Sequence, residues 1–202
     1  MYEQDIVVID DIIEERYQNR LEKFLLDEEA PWNLCHGTVS LKSSYNEVFK
    51  TGINPPQFVK EFPLENKLNS NIIFVKPLVD AVSLIYNQNL GVLRSKFNLL
   101  TLRNDDTFHY PHADTDAYDK QIMSCVYYVN DSDGDTYFFK EFAPKKTEQP
   151  TIERRVSPKK GSIVLFDARR YHASSSPKHH EYRIVFNMVF FFPNPTFQAT
   201  YS

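Results

Sequence analysis

The stretch GSIVLFDARRYH, residues 161–172, contains the pattern that decides the fold class of this chain. Its apolar run, residues 163–166, is short, mixes β-branched and aromatic side chains and follows a glycine turn, which predicts a strand. Runs of the same kind recur from residue 93 onward, at residues 93–103, 122–130, 135–142 and 182–192, with turn clusters between them. Many short strands without intervening helices predict a β-sandwich or barrel.

The first 92 residues have a different pattern of apolar residues. Apolar residues at helical spacing predict two amphipathic helices, over residues 10–29 and 76–91. In the second helix, Pro77 suits the first turn and Gly91 suits the position just past the end. We therefore expect one domain over residues 1–202, mainly β with flanking helices. Residues 1–92 form its helical and irregular part, and residues 93–202 form its β core.

The segment between the helices, residues 31–70, has no clear period and is punctuated by proline, glycine and asparagine. Irregular stretches of this length are commonly lids or binding loops. If this segment is a lid, Trp32, His36 and Tyr45 face the substrate. The alternative is a surface excursion with short strands and a few packed aromatic side chains.

Composition argues against several classes of partner. The formal net charge is −4, so the basic excess typical of a nucleic-acid-binding protein is missing. No apolar run is long enough to cross a membrane, and MYEQDIVVIDD has no basic segment ahead of an apolar one, so we expect no signal peptide. Cys35 and Cys125 fit no metal or disulfide pattern. The sequence predicts a cytoplasmic protein without nucleic-acid or membrane partners, and it leaves the oligomeric state open.

The segment PHADTD, residues 111–116, carries the first pair of residues suited to chemistry. In an extended segment, residues i and i+2 point to the same face, so His112 and Asp114 can reach one metal ion. Taken alone, such a pair is more often two polar residues in a loop. Asp116 is interpreted as a residue beside the site or in solvent.

His172, which follows the strand at residues 162–166, supplies a possible third ligand. Two histidines and one carboxylate form the facial triad of non-haem Fe(II) oxygenases, with positions left open for a co-substrate and O₂. A closed structural zinc site would need a fourth ligand, preferably a thiolate, and no cysteine lies nearby in the sequence. The sequence therefore favours His112, Asp114 and His172 as ligands of an iron ion.

Arg183 lies in a strand whose side chains alternate between two faces. Residues 183, 185, 187 and 189 share one face of YRIVFNMVF, and the residues between them share the other. If both faces are covered, the guanidinium is buried and needs an anion, for which a carboxylate fits its planar fork. The neighbouring run IMSCVYYVN offers Tyr128 as a partner for that carboxylate. The alternatives are an exposed arginine at a strand start and an ordinary sheet tyrosine.

These pieces together resemble the catalytic half of the 2-oxoglutarate- and Fe(II)-dependent dioxygenases, and most closely the prolyl hydroxylase branch. The resemblance covers about residues 95–192. It is carried by HAD (residues 112–114), SCVYYVNDSDGDT (residues 124–136), PKKGSIVLFDARRYHASS (residues 158–175) and YRIVFNMVF (residues 182–190). The turn that usually reads Gly-Gly-Glu-Thr is DGDT here, and collagen-type relatives carry lysine in place of Arg183.

The resemblance implies a double-stranded β-helix, the cupin-like jelly roll, supported by N-terminal helices. It implies Fe(II) on His112, Asp114 and His172, and 2-oxoglutarate with its distal carboxylate on Arg183 and Tyr128, with ascorbate as reductant. Residues upstream of the His-x-Asp pair often contribute to the family's site, which singles out Tyr110 and Arg103. Asn187, on the face of Arg183, is a further candidate beside the substrate.

The expected function is hydroxylation of an unactivated C–H bond, with O₂ as oxidant. Prolyl hydroxylation of a protein or peptide is the most specific interpretation, and a free amino acid or another small metabolite is the alternative substrate. A non-redox, metal-binding cupin-like protein or a non-catalytic binding module is the alternative from another class. A cupin-like protein should carry more histidine ligands and has no need of a buried Arg183.

Overall fold

The computed structural model describes residues 6–39, 51–61, 74–117, 121–144 and 149–193. Two helices lie within these ranges, α1 (Glu15–Leu25) and α2 (Lys76–Tyr86). The strands are β1 (Val7–Ile9), β2 (Asn33–Cys35), β3 (Gln57–Glu61), β4 (Gly91–Thr101), β5 (Ile122–Tyr128), β6 (Thr136–Phe142), β7 (Ile152–Val156), β8 (Ile163–Asp167), β9 (Arg170–Ser174) and β10 (Tyr182–Phe191).

The strands form two antiparallel sheets. The major sheet has the order β1-β8-β5-β10-β4-β3-β2, and the minor sheet has the order β7-β6-β9. Side chains from both sheets meet in one buried cluster, in which Phe138 and Val156 of the minor sheet join Tyr128, Phe166 and Val185 of the major sheet. This arrangement confirms the mainly β, jelly-roll core with flanking helices that the sequence predicts.

The helices cover the outer face of the major sheet. Leu21 and Leu25 of α1 and Leu78 and Val82 of α2 pack into the largest buried cluster, together with β-strand residues that include Phe186. The strand β10 thus divides its side chains as its alternation predicts. Ile184, Phe186 and Met188 belong to the helix-side cluster, whereas Arg183, Val185 and Asn187 line a cavity between the sheets.

The helix ends differ from the sequence prediction. Helix α1 begins at Glu15, because Glu14 is extended, with φ of −52° and ψ of 136°, and Asp11 further upstream is left-handed, with φ of 51°. Helix α2 ends at Tyr86, where Asn87 adopts a left-handed conformation with φ of 50°. Asparagine tolerates this conformation better than most residues, so it stops the helix four residues before Gly91, which instead opens β4.

The first ninety residues contribute strands as well as helices to the fold. The strand β1 pairs with β8 at one edge of the major sheet, and β2 and β3 extend the other edge beyond β4. Of the segment predicted as irregular, residues 40–50 and 62–70, including Tyr45, lie outside the described residues. Neither helix of the described chain is long and apolar enough to span a lipid bilayer.

Candidate metal centre

Three side chains of the described residues converge as a possible metal-binding group, namely His112, Asp114 and His172. Their candidate ligand atoms all lie within 4.8 Å of one another. His172 lies in the middle of β9, and His112 bridges to it through two backbone hydrogen bonds of 2.9 Å. Asp114 is fixed by its backbone N–H, which donates to the Ala168 carbonyl at 2.8 Å. This β pairing therefore brings residues sixty positions apart in the sequence into one cluster.

The imidazole orientations suit a shared cation. Nδ1 of His172 lies 3.0 Å from the Arg170 carbonyl, and Nδ1 of His112 lies 3.4 Å from the Tyr110 carbonyl. A histidine that engages a carbonyl through one ring nitrogen presents the other nitrogen to a metal. Nε2 of His172 lies 3.6 Å from Oδ2 of Asp114. Two imidazole nitrogens and one carboxylate oxygen are a donor set that fits Fe(II).

The electrostatics keep two of these groups, His112 and Asp114, in the protonation state that binds a cation. Burial, followed by the neighbouring His172, lowers the pKa of His112 to about 3. Burial by itself would raise the pKa of Asp114, but His172, Arg94, His112 and the Ser124 hydroxyl together hold it below its usual range. Ser124 donates to Oδ2 of Asp114 at 2.6 Å. His112 is thus neutral and Asp114 anionic at neutral pH, which are the forms in which an imidazole and a carboxylate can bind a cation.

Arg183 is a second charged centre between the sheets, with 3% of its surface exposed. Its Nε donates to the Gly134 carbonyl at 2.7 Å, and its Nη2 donates to Oγ1 of Thr136 at 2.8 Å. The Tyr128 hydroxyl donates to the same Thr136 oxygen at 2.8 Å. Among the described residues, no carboxylate forms a salt bridge with Arg183. A buried guanidinium without an anionic partner favours an external anion.

One cavity of about 210 Å³ joins the two centres. Its lining includes the three clustered side chains and Arg183, with Thr136 and Ser174 between them. Sequence reasoning missed a wall of this cavity, formed by polar residues of β3 and β4: Gln57, Arg94, Lys96 and Asn98. Their signal in the sequence is the alternation of Arg94, Lys96 and Asn98, which by itself is typical of a solvent-facing strand.

The other predicted site residues occupy different places. Asn187 lines the cavity, and its Nδ2 donates to Oδ1 of Asn98 at 3.1 Å. Tyr110 contributes its carbonyl to His112, and Arg103 is exposed and paired with Asp105 at 2.7 Å. Trp32 packs against α1 and donates to the Leu25 carbonyl, whereas His36 is exposed. Thus the structure brings Asn187 to the cavity and places the side chains of Arg103 and Trp32 elsewhere.

The buried histidines predict a pH dependence of stability in the metal-free protein. His109 is 1% exposed, and its ring nitrogens lie 2.9 and 3.1 Å from the hydroxyl oxygens of Ser174 and Ser176. Burial, followed by Arg183, lowers the pKa of His109 to about 3, the same value as for His112. Below about pH 6.5 the unfolded chain binds protons at both residues that the folded chain does not bind.

We therefore expect the free energy of unfolding to fall as the pH is lowered from about 6.5 towards about 3, by up to about 1.4 kcal/mol per pH unit for each histidine. Urea denaturation in the presence of a chelator measures this slope. His36→Gln, which alters an exposed histidine, should leave it unchanged. A flat profile between about pH 6.5 and about pH 4.5 would contradict buried, neutral states of His109 and His112.

Comparison with known proteins finds a family model that matches part of this chain and solved structures that share its fold. Residues 97–191, just under half of the chain, match the family model described as the 2OG-Fe(II) oxygenase superfamily. Over these residues the match agrees with the predicted family at the level of the superfamily. Among curated proteins, none matches the sequence significantly.

Solved structures share the fold at low sequence identity. A prolyl-4-hydroxylase from Pseudomonas putida is 15% identical, with a TM-score of 0.59 over 94% of this chain and 93% of that chain. A prolyl hydroxylase in complex with a hypoxia-inducible-factor peptide, from Trichoplax adhaerens, is 14% identical, with a TM-score of 0.62 over 93% and 83% of the two chains. HygX from Streptomyces hygroscopicus, with nickel and 2-oxoglutarate bound, is 14% identical, with a TM-score of 0.58 over 98% and 86%.

Proposed function

We propose, from the premise that residues 97–191 belong to the 2OG-Fe(II) oxygenase superfamily, that this chain is an Fe(II)- and 2-oxoglutarate-dependent dioxygenase that hydroxylates an unactivated C–H bond. One observation carries the proposal. A single cavity joins the cluster of two histidines and a carboxylate to a buried arginine that has no carboxylate partner among the described residues. A cation site and an anion site at the two ends of one cavity suit a metal ion and a dicarboxylic co-substrate.

The residues that would hold the two groups follow from their chemistry. His112, Asp114 and His172 would bind the iron, and Arg183 would pair with the distal carboxylate of 2-oxoglutarate. Thr136 would assist at that end of the cavity. Its oxygen accepts hydrogen bonds from Arg183 and Tyr128, so its own O–H proton remains available to a carboxylate oxygen. Tyr128, whose single hydroxyl proton is donated to Thr136, acts in this proposal by orienting Thr136.

Iron and 2-oxoglutarate, when bound by these residues, would supply the oxidation, in which O₂, 2-oxoglutarate and the substrate C–H give succinate, CO₂ and the hydroxylated product. The protein's part is to position the groups and to exclude water. The ring of Phe166 lies 4.8 Å, centroid to centroid, from that of His172, and the ring of Phe138 lies 6.5 Å from His172 and 4.9 Å from Phe166. These apolar rings shield the metal ligands from solvent, and the low dielectric strengthens the charge interactions within the cavity.

Two substrate classes fit this proposal. Hydroxylation of a prolyl residue in a protein or peptide is supported by the prolyl hydroxylases among the structures of similar fold. A free amino acid or another small metabolite is supported by the polar, cationic wall of the cavity, in which Lys96 lies close to the metal ligands. Ascorbate, which keeps iron reduced, belongs in the reaction mixture under either alternative.

The proposal is tested by turnover. We expect the purified chain, given Fe(II), ascorbate, 2-oxoglutarate and O₂, to form succinate and CO₂, and to do so faster when a true substrate is added. Products that gain one oxygen atom, seen by mass spectrometry, identify that substrate. If the metal-loaded chain neither forms succinate nor binds 2-oxoglutarate, a metal-binding protein without oxygenase activity is the correct interpretation.

A further inference from the structure

Lys96 is a cation in the cavity that the proposed chemistry does not use. It lies on β4, where its neighbours across the sheet are Asn187 of β10 and Glu61 of β3, and it is half-buried. No carboxylate of the described residues forms a salt bridge with it: Glu61 is exposed, and Asp114 is paired with Arg94. Burial and the nearby Arg94 lower the pKa of Lys96, whereas Asp114, Cys35 and Glu61 oppose that change. An ammonium group in such a place is stabilised by an added anion.

An anion bound at Lys96 would be distinct from the one proposed at Arg183. Asn187, the neighbour of Lys96, lies four residues along β10 from Arg183, which corresponds to about 13 Å of strand. The guanidinium of Arg183 is turned away to Gly134 and Thr136, at the minor sheet. The cavity therefore has two cationic poles on separate parts of its wall. The distal carboxylate of the co-substrate neutralises only the pole at Arg183.

The polar side chains around Lys96 are linked to one another by hydrogen bonds. Nδ2 of Asn187 donates to Asn98, Nδ2 of Asn98 donates to Gln57, and Nε2 of Gln57 donates to the Gly37 and Thr38 carbonyls at 3.2 Å. This chain of hydrogen bonds ties β10, β4 and β3 to the segment at residues 37–39. Thr38 and Val39 of that segment also line the cavity. The polar groups beside Lys96 are thus held in place, which suits recognition of a polar ligand.

Arg94, the other cation of this wall, already has an ion-pair partner. It forms an ion pair with Oδ1 of Asp114, one of the candidate metal ligands. Arg94 therefore orients the ligand carboxylate, and Lys96 is the cation available to a bound molecule. The cavity of about 210 Å³ is also small compared with the roughly 300–1,000 Å³ of typical ligand pockets, so it favours a small substrate.

We propose that Lys96 binds the carboxylate of the substrate, which is a free carboxylic acid of low molecular mass that sits beside the metal centre. The proposal rests on the proposed dioxygenase function and specifies its substrate class. In it, Lys96 is a specificity-determining residue, because an acid finds a partner at Lys96 whereas the matching neutral amide leaves the ammonium unpaired.

The test uses pairs of acids and amides and needs no turnover. The full chain is loaded with Zn(II) and saturated with 2-oxoglutarate, and its thermal unfolding is followed with each member of a panel. The panel comprises L-proline, L-pipecolate, L-glutamate, L-aspartate and phenylacetate, each beside its carboxamide. We expect at least one acid to raise the Tm by about 2 °C or more beyond its amide at the same concentration.

Variants assign that preference to one side chain. Lys96→Met keeps the length of the side chain without its charge, and it should abolish the acid preference and weaken binding of that acid at least tenfold. Lys96→Arg should retain most of the preference. Lys76→Met, at an exposed lysine paired with Asp80 on α2, is the matched control and should change nothing. Binding of 2-oxoglutarate should stay within about twofold in all three variants.

Two results would overturn the proposal. The first is that no acid of the panel exceeds its amide on the wild-type chain. The second is that Lys96→Met weakens 2-oxoglutarate rather than the acid, which would make Lys96 a co-substrate residue. A failure of the dioxygenase proposal is separate, because 2-oxoglutarate itself would then not stabilise the Zn(II)-loaded chain. In that event the acids and amides are compared without 2-oxoglutarate. A larger increase in Tm with an acid than with its amide, lost in Lys96→Met, would still show that Lys96 binds the carboxylate.

Discussion

Replacing Asp114 with alanine is expected to weaken Fe(II) binding by more than about 100-fold and to abolish succinate formation. Side chains that merely support a metal ligand cost about 10–100-fold when removed, and the loss of a ligand should exceed that range. Asp114 is the only carboxylate in the cluster with His112 and His172 among the described residues, so no neighbouring anion replaces it. Calorimetric titration of the metal-free chain with Fe(II) under anaerobic conditions measures the change in affinity.

Asp116→Ala is the matched control for this experiment. Asp116 is an exposed aspartate two residues further along the chain, outside the cluster. We expect it to bind iron with the affinity of the wild-type chain. Equal losses in both variants, or undiminished iron binding by Asp114→Ala, would contradict the assignment of Asp114 as a ligand.

Replacing Arg183 with methionine is expected to weaken 2-oxoglutarate binding by about 100-fold or more while leaving the metal affinity within a few-fold. A hydrogen bond to a charged group contributes about 1.5–3 kcal/mol, and the planar guanidinium can supply two of them to one carboxylate. Methionine keeps most of the buried apolar stem and removes the charge. Titration of the Fe(II)-loaded variant with 2-oxoglutarate, again without O₂, gives the affinity directly.

Two observations keep the Arg183 experiment interpretable. Retained iron binding shows that the variant folds, since the proposed metal ligands come from two segments of the chain about sixty residues apart. Arg103→Met serves as the control at an exposed arginine, which pairs with Asp105 rather than lining the cavity. Unchanged 2-oxoglutarate affinity in Arg183→Met, or an equal loss in Arg103→Met, would refute the role proposed for Arg183.

The sequence predicts the structure well at positions where one physical requirement, such as the burial of apolar side chains, determines which way a side chain faces. Alternation in β10 predicts which of its residues face the helices, because a residue on the wrong face would expose apolar surface or bury a charge. The fold class follows from the same kind of pattern. The clustering of His112, Asp114 and His172 depends on the resemblance to a family as well, since no local pattern places residue 172 beside residue 112.

Other features depend on contacts that no local pattern encodes. Lys96 reads as a solvent-facing residue of a polar strand, and it lines a cavity only because β3 and residues 37–39 cover that edge of the sheet. The short strand β2 has three residues, too few to produce a period. Thr136 lies in a turn-rich segment, and its contacts with Arg183 and Tyr128 join residues up to forty-seven positions apart.

The most direct test of the central claim, that one cavity binds a metal ion and 2-oxoglutarate together, is anaerobic calorimetric titration of 2-oxoglutarate into the chain with and without Fe(II). The account predicts one 2-oxoglutarate site per chain, at least about tenfold tighter with iron than without it, because the co-substrate then gains contacts at both ends of the cavity. Identical affinity with and without iron, or no binding in either case, would contradict it.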